Sequence, residues 1–318
     1  MALQIPRLAA APIISTVAIS TVSISTVTLT VLLGIAGCGS ADQQASGNDR
    51  LTVVTSTDVW GSVARAVAGD ATEVKSIIND PSADPHAYES KPTDAAEVTN
   101  ADLVVFNGGG YDDFMPKILE AVGDKPTVEA FALETQKPAD GALPNEHVWY
   151  DLSVAQSVAQ QVADKLGQLD PGQAQQFAAR AQAFRTEIDG LESKLAGIAR
   201  ANGGQRVAMT EPVAQYLITA AGLTDATPAE FLEAVEEETD PPAAAVAATK
   251  ELFAQRQVRV LVYNPQAETP ITSQIRAASE SAQIPVVTMT ETMPENTDYR
   301  GWMSGQIDAL STALQGQP

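Results

Sequence analysis

Two kinds of apolar pattern alternate along most of the chain. Short runs rich in β-branched residues, such as residues 51–56 and 103–107, predict strands. Apolar residues spaced three or four apart, as at Val59, Val63 and Val67, predict helices between those strands. Because strands that alternate with helices form βαβ units, the pattern predicts an α/β fold class with mostly parallel sheets. The alternation returns after residue 203, so we expect two similar halves.

A helical segment without strand patterns separates the two halves. Residues 152–202 are rich in Ala, Gln, Lys and Glu, and they predict two helices that divide at Asp170 and Pro171. Asp170 suits a helix cap and Pro171 suits the first helical position. The second helix is then expected over residues 171–200, a length of about 45 Å at 1.5 Å per residue. It is either a rigid connector between two lobes or one amphipathic helix lying on a single domain. The predicted boundaries are 51–151 for the N-terminal lobe, 152–202 for the connector and 203–318 for the C-terminal lobe.

The first forty residues have a pattern of their own. No charged residue occurs from residue 8 to residue 41, and this stretch ends in Ile35, Ala36, Gly37 and Cys38. An apolar run that ends in small residues is typical of a secretory signal with a cleavage site. The four residues resemble the bacterial lipobox, which implies that residues 1–37 are a signal peptide and that Cys38 is lipidated. The alternative is a retained transmembrane helix, since the run is long enough to span a bilayer.

Two further features agree with a lipid-anchored protein on the extracytoplasmic face of the cell membrane. Residues 38–50 are small and polar, as in a flexible tether. The formal net charge of −21 would repel an anionic membrane surface, so membrane contact requires an anchor.

The same charge argues against a nucleic-acid partner, because phosphates require clustered Lys and Arg. Cys38 is the only cysteine, which excludes an internal disulfide and a thiolate zinc cluster. We expect a monomer.

The candidate chemistry lies in the only two histidines, His86 and His147, and in carboxylates of the second half. His86 follows a predicted strand, and Glu211 and Glu291 each end one. Ligands of parallel α/β sheets bind beyond the carboxyl ends of the strands, so these side chains are expected at one edge. Imidazole and carboxylate donors together suit Mn²⁺, Fe²⁺ or Zn²⁺. On residue types alone, a lone histidine is more often an ordinary surface or core residue. The acidic patch at residues 233–240 is interpreted as a solvated loop and helix start.

Several motifs together resemble one protein family. They are DPHAYESKPTD at residues 84–94, ADLVVFNG at residues 101–108, HVW at residues 147–149, and Glu211 and Glu291 with Tyr299 and Trp302. In this combination the chain resembles the metal-binding lipoproteins that supply ABC importers with zinc or manganese.

The resemblance has definite implications for fold and function. It implies two (βα)₄-type lobes joined by a long rigid helix, with the metal held between the lobes. The implied ligands are His86, His147, Glu211 and Glu291, and the implied cargo is one divalent transition metal ion, Zn²⁺ or Mn²⁺. The implied partners are the membrane permease and the ATPase of an ABC importer.

Three features depart from the family pattern. Glu146 stands where proline usually precedes the second histidine, Glu291 stands where aspartate is common, and the His-rich loop of many zinc-specific members is absent. The last two leave the choice among zinc, manganese and iron open. Two other functions are alternatives, a secreted metal-dependent hydrolase and an adhesin-type surface protein. A hydrolase needs an open coordination position and a general base, and the sequence has no H-E-x-x-H motif, so we expect no enzyme.

Overall fold

The computed structural model of this chain describes residues 50–83, 85–86, 88–135 and 145–316. The predicted signal peptide, Cys38 and most of the tether lie outside these ranges, so their assignments stay predictions. Within the described ranges, no helix combines the length and the apolar composition that crossing a membrane requires.

The described residues contain two four-stranded parallel sheets, in agreement with the predicted fold class. The first sheet has the order β2-β1-β3-β4 and the second the order β6-β5-β7-β8, and every pair is parallel. In each sheet the two central strands are almost entirely buried, as expected for strands covered by helices on both faces. The strands are β1 (Leu51–Thr57), β2 (Thr72–Ile78), β3 (Leu103–Phe106), β4 (Thr127–Glu129), β5 (Arg206–Met209), β6 (Thr224–Asp225), β7 (Leu261–Tyr263) and β8 (Val286–Thr288).

Ten α-helices connect or cover these strands in the described ranges. The periodic apolar positions decide which face each helix buries, as in α1, where Val59, Val63 and Val67 are buried against the first sheet. The helices are α1 (Asp58–Ala68), α2 (Pro92–Asn100), α3 (Phe114–Val122), α4 (Leu152–Leu169), α5 (Ala174–Asn202), α6 (Gln215–Ala220), α7 (Ala229–Glu236), α8 (Ala243–Ala254), α9 (Pro270–Ser281) and α10 (Tyr299–Gln315).

The long helix between the halves is α5, with 29 residues and a length of about 44 Å. Its buried positions recur every three or four residues from Phe177 to Ile198, and they face α1, α4 and α10. The largest hydrophobic cluster includes these positions together with Val53 of the first sheet and Val207 of the second. The helix therefore packs lengthwise against elements of both halves.

The predicted start of this helix was wrong. The helix begins at Ala174, and Asp170 ends α4 instead of capping α5. The Asp170 carboxylate accepts a hydrogen bond from the Gly172 backbone N–H at 3.0 Å, which closes a tight turn between the two helices. A turn residue and a helix cap use the same side-chain oxygen, so the sequence alone favoured the wrong one of two similar structures.

The acidic patch was also misinterpreted. Residues 229–236 form helix α7, which buries Phe231 and Val235, and Glu236 is its last residue. Glu233, on the outer face of this helix, is exposed, and so are the residues after it, Glu237 to Asp240. The patch is thus a packed helix followed by a solvated loop.

Candidate metal centre

His86 lies in a loop after β2, and neighbouring residues of its motif fix that loop. The Tyr88 hydroxyl donates to Asp94 Oδ2 at 2.9 Å, and the Lys91 backbone N–H donates to the same oxygen at 2.7 Å. The Tyr88 ring packs on Phe114 with centroids 4.8 Å apart. Burial and the hydrogen bond to Asp94 raise the pKa of Tyr88 to about 12, so its hydroxyl stays a donor at neutral pH. These contacts anchor the loop to α2 and α3.

His147 is almost completely buried, and its hydrogen bonds fix its tautomer. Asn145 Oδ1 accepts from the His147 backbone N–H at 2.9 Å and lies 2.8 Å from His147 Nδ1. Asn145 Nδ2 donates to the Pro212 carbonyl at 2.9 Å, which assigns Oδ1 as the acceptor. Nδ1 therefore carries the proton, and Nε2 keeps the lone pair that a metal requires. Burial and the neighbouring His86 hold the pKa of His147 well below its ordinary value, so the ring is neutral.

Glu211 and Glu291 lie just beyond β5 and β8 and share one amide group. Asn264, directly after β7, donates through Nδ2 to Oε1 of Glu211 and, at 2.9 Å, to Oε1 of Glu291. The three side chains are buried, with Glu211 only 4% and Glu291 only 6% exposed. A single amide thus sets the spacing of two buried carboxylates at the carboxyl edge of the second sheet.

Three of the four predicted ligands meet in one group. His86, His147 and Glu291 each offer a ligand atom, and these atoms all lie within 4.8 Å of one another. Nε2 of His86 is 3.9 Å from Oε2 of Glu291, and the two imidazole centroids are 6.2 Å apart. Glu211 is not in this compact group, but it lines the same cavity of about 290 Å³ as His86 and Glu291.

Aromatic rings close the rear of the two histidines. The His86 ring meets Tyr111 edge-on at 4.9 Å between centroids, and the His147 ring meets Trp149 at 5.1 Å. Tyr111 and Trp149 pack on each other at 4.5 Å, and both are 1% exposed. This wall keeps water away from one side of the site, which strengthens the attraction between a cation and the carboxylates.

Hydrogen bonds join the His86 loop to the segment that carries Glu291. Gln266 Nε2 donates to the Pro81 carbonyl at 3.1 Å, and Thr292 Oγ1 donates to the same carbonyl at 2.7 Å. Gln266 Oε1 in turn accepts from the Glu291 backbone N–H at 2.7 Å. One glutamine therefore contacts both sides of the cleft beside the candidate ligands.

Glu236 is a cleft residue that the sequence interpretation missed. Its Oε1 lies 3.7 Å from Nε2 of His147. Burial, followed by the nearby carboxylates of Glu146 and Glu211, raises the pKa of Glu236 to about 10. In this arrangement the carboxyl group is protonated at neutral pH, and a nearby divalent cation would favour its ionised form. The spacing of Phe231, Leu232 and Val235 was the signal that could have placed Glu236 in the last turn of a helix.

The amides around the site were missed as well. Asn145, Asn264 and Gln266 are single polar residues without a repeated spacing, so no sequence pattern marks them. Asn264 could have been found from its place, since it follows a predicted strand at the carboxyl edge where polar side chains collect. Its contacts with both Glu211 and Glu291 could not be predicted, because they depend on how three strands lie side by side in the sheet.

Comparison of the sequence with family models of known proteins finds a match over most of the chain. The family model described as zinc-uptake complex component A, periplasmic (ZnuA), matches residues 53–313. Among curated relatives, the manganese-binding lipoprotein MntA of Halalkalibacterium halodurans is 30% identical over 171 residues, which cover 52% of this chain and 55% of the relative. The chain spans about half the length of the curated relatives that it matches first.

Solved structures share the fold over most of the chain. The periplasmic zinc-binding protein TroA of Treponema pallidum has a TM-score of 0.70 at 20% identity, over 83% of this chain and 99% of that one. The laminin-binding protein Lmb of Streptococcus agalactiae, described as having adhesin and metal-transporting activity, has a TM-score of 0.71 at 21% identity, with the same coverage. At these identities the likeness shows the fold alone.

Proposed function

The chain belongs to the family of zinc-uptake complex component A, periplasmic, and on that premise we propose that it is an extracytoplasmic solute-binding lipoprotein. It captures one divalent transition metal ion, zinc or manganese, in the cleft between its two lobes. It then delivers the ion to the permease of an ABC importer, which works with its own ATPase. The ion is cargo, and the protein binds it without catalysing a reaction.

The observation that carries this proposal is the compact group of His86, His147 and Glu291. Two imidazoles and a buried carboxylate within 4.8 Å of one another form a mixed nitrogen and oxygen donor set. His147 is neutral, with its Nε2 lone pair available, so it requires no proton loss before it binds a metal. Glu211, which lines the same cavity as His86 and Glu291, supplies the fourth ligand.

The donor set accommodates either metal. Zinc takes four nitrogen or oxygen ligands in a tetrahedron, whereas manganese prefers more oxygens, which bidentate carboxylates supply. The relative intrinsic affinities of divalent metals favour zinc over manganese at such a site. We therefore expect zinc to bind at least as tightly in vitro, whichever metal is transported.

The location of the protein rests on Cys38. Lipidation of Cys38 after removal of residues 1–37 would hold the folded lobes at the outer face of the cell membrane. The name of the MntA relative, a manganese-binding lipoprotein, supports this part of the proposal. The domain boundaries then follow as a tether at 38–50, lobes at 51–151 and 203–318, and a helical connector at 152–202.

Metal titration tests the proposal. The full chain, purified in detergent without chelator, is titrated with zinc and with manganese against a chromophoric chelator. We expect one ion per chain, with binding strongly weakened in His147→Ala. Glu268→Ala is the matched control, because Glu268 lines the cavity of about 290 Å³ but is not one of the four proposed ligands. The absence of stoichiometric binding of either metal, or equal binding by wild type and His147→Ala, would contradict the proposal.

A further inference from the structure

A second group of metal-ligating side chains lies beside the first. His86, Glu146 and Glu236 each offer a ligand atom, and these atoms also lie within 4.8 Å of one another. Glu146 and Glu236 are half-buried, in contrast to the buried His147 and Glu291 of the compact group described above. The second group is therefore nearer to solvent, and it shares His86 with the first.

Two cavities meet at this second group. The cavity of about 290 Å³ that contains Glu211 and Glu291 is also lined by His86 and Glu236. A second cavity of about 550 Å³ is lined by His86 and Glu236 together with Glu146, but not by Glu211 or Glu291. His86 and Glu236 thus stand between the two cavities.

The two glutamates are held in place by different parts of the chain. Glu236 ends α7, whose Phe231 and Val235 are buried in the second half. The Glu146 carbonyl accepts from Asn107 Nδ2 at 2.8 Å, which ties the segment to the first half. The group therefore draws its members from both halves, as the compact group does.

An enclosed carboxylate oxygen points from this group toward the buried histidine. The Glu236 side chain is hydrogen-bonded to that of Glu146, whereas its Oε1 is shielded from solvent and has no hydrogen-bond partner among the described residues. It lies 3.7 Å from His147 Nε2, which is beyond hydrogen-bond distance. A buried carboxyl oxygen without a hydrogen-bond partner is costly unless another group or an ion binds it. A cation between Glu236 and the imidazoles would be such a partner.

We propose that His86, Glu146 and Glu236 form an outer metal site that receives a divalent cation and passes it to the inner site of His86, His147, Glu211 and Glu291. This inference rests on the proposed function. Because His86 belongs to both sites, they cannot both be fully occupied, and the ion moves from one to the other by exchanging a few ligands. Two carboxylates and one imidazole suit manganese and other oxygen-preferring divalent ions, bound more weakly than at the inner site.

The first experiment isolates the outer site. Manganese(II) alone is added to the full chain carrying His147→Ala, and the free ion is followed by its electron paramagnetic resonance signal. We expect one weakly bound ion, whose affinity falls at least about tenfold when Glu236→Gln or Glu146→Gln is added, because each removes an anionic ligand. Glu237→Gln is the matched control, since it removes the same charge from the next, exposed residue. No binding to His147→Ala, or equal binding with and without Glu236→Gln, overturns the outer site.

The second experiment measures transfer in the otherwise unchanged chain. Stopped-flow mixing with manganese should show association about tenfold slower in Glu236→Gln than in Glu237→Gln. Both variants lose one negative charge, but only Glu236→Gln also loses a ligand of the outer site. Glu146→Gln tests the same step at a second position. An effect confined to dissociation would make Glu236 an inner ligand and overturn the outer site. A wild-type chain that binds neither manganese nor zinc would instead refute the proposed function.

Discussion

Asn145 holds the buried histidine, and its replacement tests how the protein prepares a metal ligand. Its Oδ1 is 2.8 Å from His147 Nδ1 and accepts from the His147 backbone N–H at 2.9 Å. Asn145→Ala removes this acceptor while leaving all four proposed ligands in the chain. Because His147 is only 1% exposed, water has little access to replace the lost partner.

The expected magnitude follows from these contacts. Leaving a buried N–H donor without an acceptor costs about 1–3 kcal/mol, so Asn145→Ala should lower the free energy of unfolding by that amount. Metal binding should be weakened by a comparable free energy, because a metal on Nε2 polarises the ring and strengthens the bond at Nδ1. Loss of a hydrogen-bond partner behind a metal ligand typically weakens binding about 10–100-fold. We therefore expect zinc and manganese dissociation constants to rise by that factor.

Competitive titration with a chromophoric chelator, together with chemical denaturation of the metal-free protein, measures both quantities. Asn145→Asp is the informative second variant, because it keeps an acceptor oxygen for Nδ1 but loses the donor to the Pro212 carbonyl. It should retain more affinity than Asn145→Ala. Asn100→Ala, at the exposed end of α2, is the control. Wild-type affinity in Asn145→Ala, or equal losses in the two Asn145 variants, would refute this account of His147.

Three further predictions concern the anchor, the connector and the half-buried carboxyl group of Asp58. The wild-type protein should partition into detergent, whereas Cys38→Ser should stay uncleaved or be mislocalised, and equal aqueous partitioning of both forms would contradict lipidation. The lengthwise packing of α5 predicts nearly equal radii of gyration by small-angle scattering with and without metal, and a contraction of several ångströms would indicate a flexible hinge. Burial raises the pKa of Asp58 from 3.8 to about 6, so the folded state binds its proton more tightly than the unfolded state. Its contribution to stability is therefore present below pH 4 and falls by about 3 kcal/mol up to pH 6. Asp58→Asn should remove that decline in denaturation curves from pH 4 to pH 7, and an unchanged decline would contradict the assignment.

The sequence predicted the fold well where burial has a strong periodic signature. The central strands β1 and β3 are runs rich in β-branched residues because helices cover both of their faces, and such runs are hard to mistake. Helix ends were less certain, as the start of α5 illustrates. Asp170 can cap a helix or close a turn, and only the packing of α4 against α5 decides between the two.

The candidate site was predictable only where its residues follow strands that the sequence pattern predicts. His86, Glu211 and Glu291 follow strands, so the carboxyl-edge rule applied to them, and the structure brings His86 and Glu291 together with His147. Glu236 follows no strand, and it reaches the cleft only because α7 packs on the second half through Phe231 and Val235. Asn145 contacts His147 through a local turn that no pattern encodes. Residues whose place in the cleft depends on tertiary packing therefore could not be predicted from the sequence, although they determine the electrostatics of the cleft.

The proposed metal site draws its ligands from both lobes. Anomalous diffraction at the zinc absorption edge, from crystals of the zinc-loaded protein, locates the ion directly. We predict one strong peak about 2.0–2.2 Å from Nε2 of His86 and of His147 and from carboxylate oxygens of Glu211 and Glu291. An ion that is coordinated by residues of one lobe only, or that lies outside the cleft, would contradict a site shared by both lobes.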